Sequence, residues 1–319
     1  MTAVRGAWST LLDKPWIWAF LGAFAVWLAT IVFTRGVGGG EVLTAAFTFA
    51  VFFVIVGIGQ MFVITLGPGN VDLSVPATIT LAGAVSTKLM DSQDGMILIG
   101  FMAAMGCGLG IGIFNYGLIR ILRIPPIIAT LSAAFIIQSL AIAYGRGLRI
   151  KPPDLLADFT TARIAGVPVL AVVIVGLAIV MSVVLNRTVY GRSVIAIGQN
   201  RRAALLAGIN VEWTRFATYT MCALFASLCG YLLSGFSGGA SLNMGEEYLL
   251  ASIAVVVIGG TSVAGGFANV PGLWGAALFM FLLVTMLNTF GAAAGIRLIM
   301  TGLIIITVIV LAGGRRTSG

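Results

Sequence analysis

The chain has 319 residues, of which 60% are apolar and only 9% charged, and its formal net charge is +8. A water-soluble fold of this length does not need so much apolar surface, because its outside must face water. The composition therefore predicts a membrane protein, and the positive charge fits basic cytoplasmic loops better than nucleic-acid binding, since no basic run is interleaved with aromatic residues.

Ten apolar stretches lie along the chain, most of them about 17–24 residues long, which is enough to cross a hydrocarbon core of about 30 Å as a helix. We therefore predict an all-α membrane protein with about ten transmembrane helices. The predicted layout is a cytoplasmic tail at 1–15, a single transmembrane domain at 16–313 and a cytoplasmic tail at 314–319. The third and eighth stretches are the shortest. The ten stretches are 16–34, 43–66, 74–90, 95–119, 125–144, 167–186, 214–236, 248–263, 271–290 and 296–313.

The basic residues set the predicted orientation of these helices. With the N-terminus inside, eleven of the 18 Lys and Arg residues fall on the cytoplasmic side and seven fall outside. Because cytoplasmic loops carry an excess of Lys and Arg, we predict that both termini are cytoplasmic.

The sequence offers little support for enzyme chemistry. Histidine is absent, which removes the commonest general base, proton relay and metal ligand. Cys107, Cys222 and Cys229 all fall inside apolar runs, where packing is the expected role. The phosphate-binding motif G-x-x-x-x-G-K-[ST] does not occur. The sequence therefore predicts no metal, no cofactor and no catalytic residue, and any ATPase that powers the protein must be a separate polypeptide.

A Gly-rich break follows the second stretch, at Gly-Pro-Gly-Asn-Val-Asp-Leu-Ser (67–74). Asp72 and Ser74 can cap the next helix, and Pro76 suits its first turn. Irregular backbone is tolerated at membrane depth where it lines a water-filled path, and neutral amides can both donate to and accept from a hydroxyl-rich solute. We therefore predict a translocation path. Its predicted residues are Gln60, Asn70, Asp72, Ser74, Asn115, Gln138 and Asn288.

A second Gly-rich break with acidic residues occurs at 235–247. Asp72 precedes Asn115 by 43 residues, and Glu246 precedes Asn288 by 42. An offset of five spans would place the two halves inverted in the membrane, as in many transporters. We therefore predict an inverted repeat of five-helix halves, with chance similarity of Gly-rich helix ends as the alternative. The residues predicted to form a periplasmic loop or gate are Asn243, Glu246 and Glu247.

The loop at 187–213 is predicted to hold a short helix on the cytoplasmic face. Asn200 suits the N-cap, Arg201 to Ala207 supply two turns of strong helix formers, and Gly208 can end them in a left-handed conformation. Such a helix, flanked by arginines, could rest on anionic headgroups or dock a partner protein, and both remain open. A third Gly-rich segment, at 258–271, predicts a tight cytoplasmic turn.

Three of these motifs together resemble the permease subunits of ribose-type bacterial sugar importers, which belong to the ATP-binding-cassette superfamily. They are Gly-Gln-Met-Phe-Val-Ile-Thr-Leu-Gly-Pro-Gly-Asn-Val-Asp-Leu-Ser (59–74), Ala-Ile-Gly-Gln-Asn-Arg-Arg-Ala-Ala-Leu-Leu-Ala-Gly-Ile (196–209) and Val-Val-Ile-Gly-Gly-Thr-Ser-Val-Ala-Gly-Gly (256–266). The likeness covers nearly the whole chain. Where the family commonly has Gly-Gly-Ile-Asp-Leu-Ser-Val-Gly, this chain gains a residue and Pro68, and Pro76 replaces a glycine, so we expect a stiffer loop.

The resemblance implies a permease in the bacterial inner membrane that forms the path for a sugar or sugar-like solute. The implied partners, besides membrane lipid, are a second permease subunit, cytoplasmic ATP-binding subunits and a periplasmic solute-binding protein, and no nucleic acid. It also implies that the 190–209 segment holds a coupling helix docked on the ATPase. The residues assigned to coupling are Gly191, Arg192, Gly198, Asn200, Arg201, Arg202, Ala204 and Gly208.

Other function classes stay open on the sequence alone. A sodium-coupled secondary transporter needs only oxygen ligands, whereas proton coupling is disfavoured because no acid or histidine is forced to mid-membrane. A membrane enzyme such as a prenyltransferase would need Asp154 and Asp158, or Asp91 and Asp94, to hold Mg²⁺, and both pairs fall in predicted outside loops. Within the importer class, nucleosides and branched-chain amino acids are alternative solutes.

Overall fold

The computed structural model describes residues 15–147, 150–291, 293, 295–296, 299–300, 302–303 and 306–307. Most of these residues are helical, as expected of a chain that must satisfy its own backbone hydrogen bonds in lipid. A 3₁₀ turn at Asp94–Met96 precedes α4, and strands β1 (Arg163–Ile164) and β2 (Val167–Pro168) pair antiparallel. The helices are α1 (Pro15–Phe33), α2 (Gly39–Thr65), α3 (Val75–Met90), α4 (Ile97–Arg120), α5 (Pro126–Gly145), α6 (Asp154–Thr161), α7 (Val169–Arg187), α8 (Val189–Gln199), α9 (Arg201–Leu206), α10 (Val211–Phe236), α11 (Tyr248–Ile258) and α12 (Val270–Thr289).

Among the described residues, 7 helices are long and apolar enough to cross a membrane, namely α1, α2, α4, α5, α7, α10 and α12. They confirm the prediction of a multi-pass helical membrane protein. The predicted spans 74–90 and 248–263 form α3 and α11, of 16 and 11 residues. At 1.5 Å per residue these helices rise only about 24 Å and about 17 Å, less than a hydrocarbon core of about 30 Å. Most of the predicted span 296–313, and the predicted tails apart from Pro15, lie outside the described residues.

One short segment of the described residues departs from the predicted helical structure. The hairpin of β1 and β2 turns at Ala165 and Gly166, whose φ angles are +50° and +83°. Two consecutive positive φ values suit a tight two-residue hairpin turn. Strands of two residues leave no hydrophobic periodicity, so the sequence gives no signal for this hairpin.

The helices differ in how much of their surface is buried within this single chain. The most apolar window of α10 and that of α12 are each 72% buried, whereas that of α1 is 17% buried. Helix α10 packs against α2, α3 and α4 and so lies at the centre of the bundle. The largely unburied helices α1, α4 and α5 leave apolar faces for lipid or for another membrane subunit.

Glycines allow the central helices to approach closely. A Cβ atom at Gly230 of α10 would overlap the carbonyl oxygen of Ile79 in α3, and one at Gly112 of α4 would overlap the backbone of Thr220 in α10. Lipid tails are as apolar as leucine, so helices in a membrane associate through such close van der Waals contact rather than through a hydrophobic drive. The high glycine content therefore serves close helix packing at these positions.

Each half of the chain contains a long helix followed by an irregular loop and a short helix. In the first half, α2 is followed by loop 66–74 and α3, and in the second, α10 is followed by loop 237–247 and α11. Gly245 packs against the carbonyl oxygen of Pro76, so the second loop reaches the first turn of α3. The inverted relation between the halves stays a prediction.

We predict that Gly230→Ala destabilises the protein by about 1–3 kcal/mol, because the added methyl group has no room against α3. Thermal unfolding in detergent measures this loss. Gly110→Ala is the matched control, since no described atom lies within 4 Å of a Cβ at that position. Equal melting temperatures for the two variants would contradict the close contact between α3 and α10.

Candidate functional site

Three segments singled out in the sequence, the break at 67–74, the loop at 187–213 and the Gly-rich segment at 258–271, meet at one end of the bundle. The carbonyl oxygen of Thr65, in the last turn of α2, accepts a hydrogen bond of 2.9 Å from the backbone N–H of Gly266. A Cβ atom at Gly198, near the end of α8, would overlap that same carbonyl oxygen, and one at Gly265 would overlap Gly67. Segments that are far apart in sequence thus contact one another backbone to backbone. We call this contact the glycine junction (Thr65, Gly67, Gly198, Gly265 and Gly266).

A buried polar cluster lies just beyond this junction, at the start of α3. Asp72 Oδ1 accepts hydrogen bonds from the backbone N–H of Ser74 (2.9 Å) and from Ser74 Oγ (2.6 Å). Asn115 Nδ2 of α4 donates to Ser74 Oγ at 2.7 Å and reaches Asp72 Oδ2 at 3.5 Å. The prediction that the Ser74 side chain caps α3 is wrong, because no such cap bond forms and the hydroxyl instead links Asp72 to Asn115.

Further polar side chains extend the cluster across α2 and α10. The thiol of Cys222 lies 3.7 Å from Gln60 Oε1 and also contacts Asp72. Tyr219 donates from its hydroxyl to Asn70 Oδ1 at 3.1 Å. The structure therefore groups five of the seven predicted path residues, and it adds Tyr219 and Cys222, which the sequence analysis did not select.

The other predicted path and gate residues lie elsewhere. Gln138 of α5 donates from Nε2 to the carbonyl oxygen of Leu242 at 2.8 Å, which ties α5 to loop 237–247. Asn288 lies exposed in the last turn of α12. The predicted gate residues, all exposed in loop 237–247, are Asn243, Glu246 and Glu247.

The predicted coupling loop folds as two helices rather than one. Asn200 Oδ1 accepts from the backbone N–H of Ala203 at 3.0 Å, so Asn200 is the N-cap of α9, as predicted. Gly208 has the predicted left-handed conformation, with φ +81°. The preceding helix α8 was missed, although Thr188 gives its start signal by accepting from the backbone N–H of Gly191 at 3.1 Å.

The two helices present apolar and basic side chains outward. Leu206 is 88% exposed and Leu205 is 63% exposed, while Ala204 is buried. Arg192 and Arg202 are also exposed, whereas Gly191 is buried against the end of α7. Exposed leucines together with exposed arginines on the same pair of helices are typical of an interaction surface.

A cleft of about 570 Å³ opens between helices α8 and α9 and the loop that follows α2. Its walls come from four parts of the chain: the Gly-Pro-Gly-Asn loop, the first turn of α5, the end of α8 with the start of α9, and the first turns of α10. Two arginines, Arg201 and Arg215, line it together with Asn70 and Gln199. The cleft therefore places cations and amides between the exposed coupling surface and the buried polar cluster.

Glu212, in the first turn of α10, binds three side chains and was not selected from the sequence. Its Oε2 lies 2.9 Å from Arg120 Nε and accepts from the Tyr116 hydroxyl at 2.7 Å. Its Oε1 lies 3.2 Å from Arg201 of α9. Glu212 lies two residues after the N-cap Asn210, where the positive end of the helix dipole stabilises an acidic side chain, and this position is the signal that the sequence offers.

The acidic pairs considered for a membrane enzyme have other surroundings. Asp94 Oδ1 accepts from the backbone N–H of Leu155 at 3.0 Å, which holds the start of α6. Asp154 and Asp158 lie one turn apart on that exposed helix. Within the described ranges, no group of three or more His, Cys, Asp or Glu residues is arranged to hold a metal ion.

The chain matches a known family over most of its length. The family described as branched-chain amino acid transport system / permease component matches residues 42–309. The chain is 30% identical to the ribose import permease protein RbsC of Escherichia coli (strain K12), over 81% of this chain and 81% of that protein. It is 30% identical to the fructose import permease protein FrcC of Rhizobium meliloti, over 81% of this chain and 73% of that protein. These matches confirm the resemblance drawn from the motifs.

A longer but weaker match is to the autoinducer 2 import system permease protein LsrC of Enterobacter sp. (strain 638). It is 27% identical over 96% of this chain and 89% of that protein. No solved structure matches the chain.

We predict that Ser74→Ala destabilises the protein by about 1–3 kcal/mol, because it leaves the buried Asp72 carboxylate and the Asn115 amide each short of a partner. The control is Ser139→Ala on the exposed face of α5, where the hydroxyl bonds only to its own helix at Phe135. Thermal unfolding of both variants in detergent gives the comparison, and a Ser74 variant as stable as the control would refute a bonded cluster.

Proposed function

This chain belongs to the family of branched-chain amino acid transport system permease components, matched over residues 42–309, and we propose that it is the membrane-spanning permease of an ATP-driven sugar importer. In this role it forms the gated path in a bacterial inner membrane and carries out no chemistry itself. A second permease subunit, cytoplasmic ATP-binding subunits and a periplasmic solute-binding protein complete the complex.

The relatives and the polar cluster support a sugar as the solute. RbsC and FrcC are named as ribose and fructose import permeases. In this chain the cluster consists mainly of neutral hydroxyl and amide groups, including Ser74, Asn115 and Gln60, which donate to and accept from hydroxyl groups without charge compensation. A nucleoside or a branched-chain amino acid is the alternative solute for the same architecture.

The surface of α8 and α9 supports docking of the ATP-binding subunit. The apolar side chain of Leu206 is exposed, and Arg202 lies exposed one helical turn before it. Burial of one large apolar side chain contributes about 1.5–3 kcal/mol, and arginine is enriched among residues that dominate interface energies. The chemistry fits an apolar pocket with an acidic rim on the partner.

The glycine junction is the observation that carries the proposal. Gly198 belongs to the coupling helices, and Thr65 ends the helix whose following loop leads to Asp72. Since these backbones touch without an intervening side chain, displacement of α8 must displace the loop as well. A movement of α8 caused by the ATP-binding subunit would therefore displace the loop that carries Asp72. ATP-driven gating requires such a mechanical connection.

The proposed gate is closed in this structure. Asp72, Ser74, Asn115 and Gln60 are all buried, whereas the cleft beside Asn70 is open. We assign the cleft as the exit side of the path, with the cluster as the barrier that separates it from the opposite end. Opening requires the loop after α2 to move away from α10, where Tyr219 now holds Asn70.

Reconstitution in liposomes tests the proposed function. ATP is enclosed on the side of the membrane that the proposed coupling helices face, and the full complex should accumulate radiolabelled ribose or fructose on that side. Replacement of ATP by ADP should abolish this accumulation. The purified chain alone should concentrate neither sugar under a sodium gradient. Sodium-driven accumulation by the chain alone would instead establish the secondary-transporter alternative.

We predict that Arg202→Glu and Leu206→Asp each weaken binding of the ATP-binding subunit by about tenfold, because both alter exposed contact groups. Arg35→Glu, at an exposed residue between α1 and α2, is the matched control. Binding is measured with purified subunits in detergent. If these variants lose affinity for anionic liposomes but keep the affinity for the ATP-binding subunit, α9 is a membrane-surface helix rather than a docking element.

A further inference from the structure

Glu212 of α10 is bonded to residues of α4 and α9. In the described part of the chain, no other ion pair links these three helices. Its carboxylate binds Arg201 of α9 on one oxygen, and Arg120 with Tyr116 of α4 on the other. Helices α9 and α10 are consecutive in the chain, but Tyr116 precedes Glu212 by 96 residues. The carboxylate therefore connects the proposed coupling helices to a helix that they do not reach through the chain.

Helices α4 and α10 are in close contact along much of their length, and Tyr231 of α10 also donates a hydrogen bond to the carbonyl oxygen of Ile97 at 3.3 Å. A Cβ atom at Gly112 would overlap the backbone of Thr220, and one at Gly108 would lie 2.9 Å from the carbonyl oxygen of Ala223. Helices packed this closely move together, so a group that holds α9 against α10 also couples α9 to α4. The Glu212 carboxylate is such a group, because it lies between Arg201 of α9 and Arg120 of α4.

Tyr116, which binds Glu212, is connected to the buried polar cluster in two ways. Asn115, which holds Ser74, is the neighbour of Tyr116 on α4. The Tyr116 ring also packs beside Tyr219, with ring centroids 6.4 Å apart, and the Tyr219 hydroxyl binds Asn70. Displacement of α4 thus acts on both sides of the loop after α2.

We propose that Glu212 is the positioning residue that makes α4 move with the coupling helices α8 and α9. This inference rests on the proposed function, since it needs an ATP-driven movement of those helices. The Glu212 side chain is 37% exposed, and Arg120 and Arg201 are 59% and 62% exposed. Ion pairs with this much solvent access are weak and reversible, which suits a contact that re-forms in each transport cycle and contributes little to folding.

The experiment compares Glu212→Gln, Tyr116→Phe and the double variant in the reconstituted complex with its ATP-binding and solute-binding partners. The probe is radiolabelled ribose or fructose, whichever sugar the wild-type complex accumulates, and the readout is sugar transported per ATP hydrolysed. Tyr116 is buried, so removal of its hydroxyl leaves the surface that meets the ATP-binding subunit unchanged. Glu41→Gln is the control, because Glu41 likewise lies in the first turn of a long helix, α2, and no ion pair joins it to any described residue.

We expect each single variant to lower the ratio of sugar to ATP by about three- to tenfold, with unchanged melting temperature and unchanged affinity for the ATP-binding subunit. The double variant should be no worse than Glu212→Gln alone, since both changes cut the same link. A wild-type ratio of sugar to ATP in both single variants would overturn the inference. So would a double variant whose loss equals the product of the two single losses, or a lowered ratio that accompanies weaker binding of the ATP-binding subunit. A wild-type complex that moves neither sugar with ATP would instead count against the proposed function.

Discussion

The carbonyl oxygen of Thr65 is the point on which the arrangement of this protein depends. A helix leaves its last carbonyl groups without partners of its own, and a buried carbonyl group that finds no donor costs about 1–3 kcal/mol. Here the donor is the backbone of Gly266, and Gly198 closes over the same oxygen. The requirement to satisfy one helix end therefore brings the end of α8, the turn between α11 and α12 and the loop after α2 into one contact.

This contact explains why irregular structure is tolerated in an otherwise helical membrane chain. Loop 66–74 is irregular, yet Ser74 links Asp72 to Asn115 of α4, and Tyr219 of α10 holds Asn70. A buried network of this kind is stable only while most of its members are paired. It can therefore act as a barrier that is either fully closed or opened as a unit, which is the behaviour required of a gate.

The buried contacts of this protein and the partly exposed ion pairs of Glu212 differ in strength. The buried cluster and the glycine contacts lie out of water, where unpaired groups and overlaps are costly. The ties made by Glu212 lie partly in water, where they are cheap to break. A transporter that must change shape in every cycle needs both kinds, because the first define the end states and the second allow passage between them.

The sequence by itself determined the membrane setting, seven of the helical spans, the N-cap at Asn200 and the family, because hydrophobicity, capping and motif order are local properties that can be read along the chain. It also selected Asn70, Asp72, Ser74 and Asn115, since polar residues are conspicuous in an apolar chain. Only the tertiary structure decided that Ser74 links Asp72 to Asn115 rather than capping α3, and that Tyr219, Cys222 and Glu212 belong to the same region. Those roles depend on contacts between residues some 40 to 160 positions apart, and helix packing through glycines, which sets these contacts, leaves no periodic signal in the sequence.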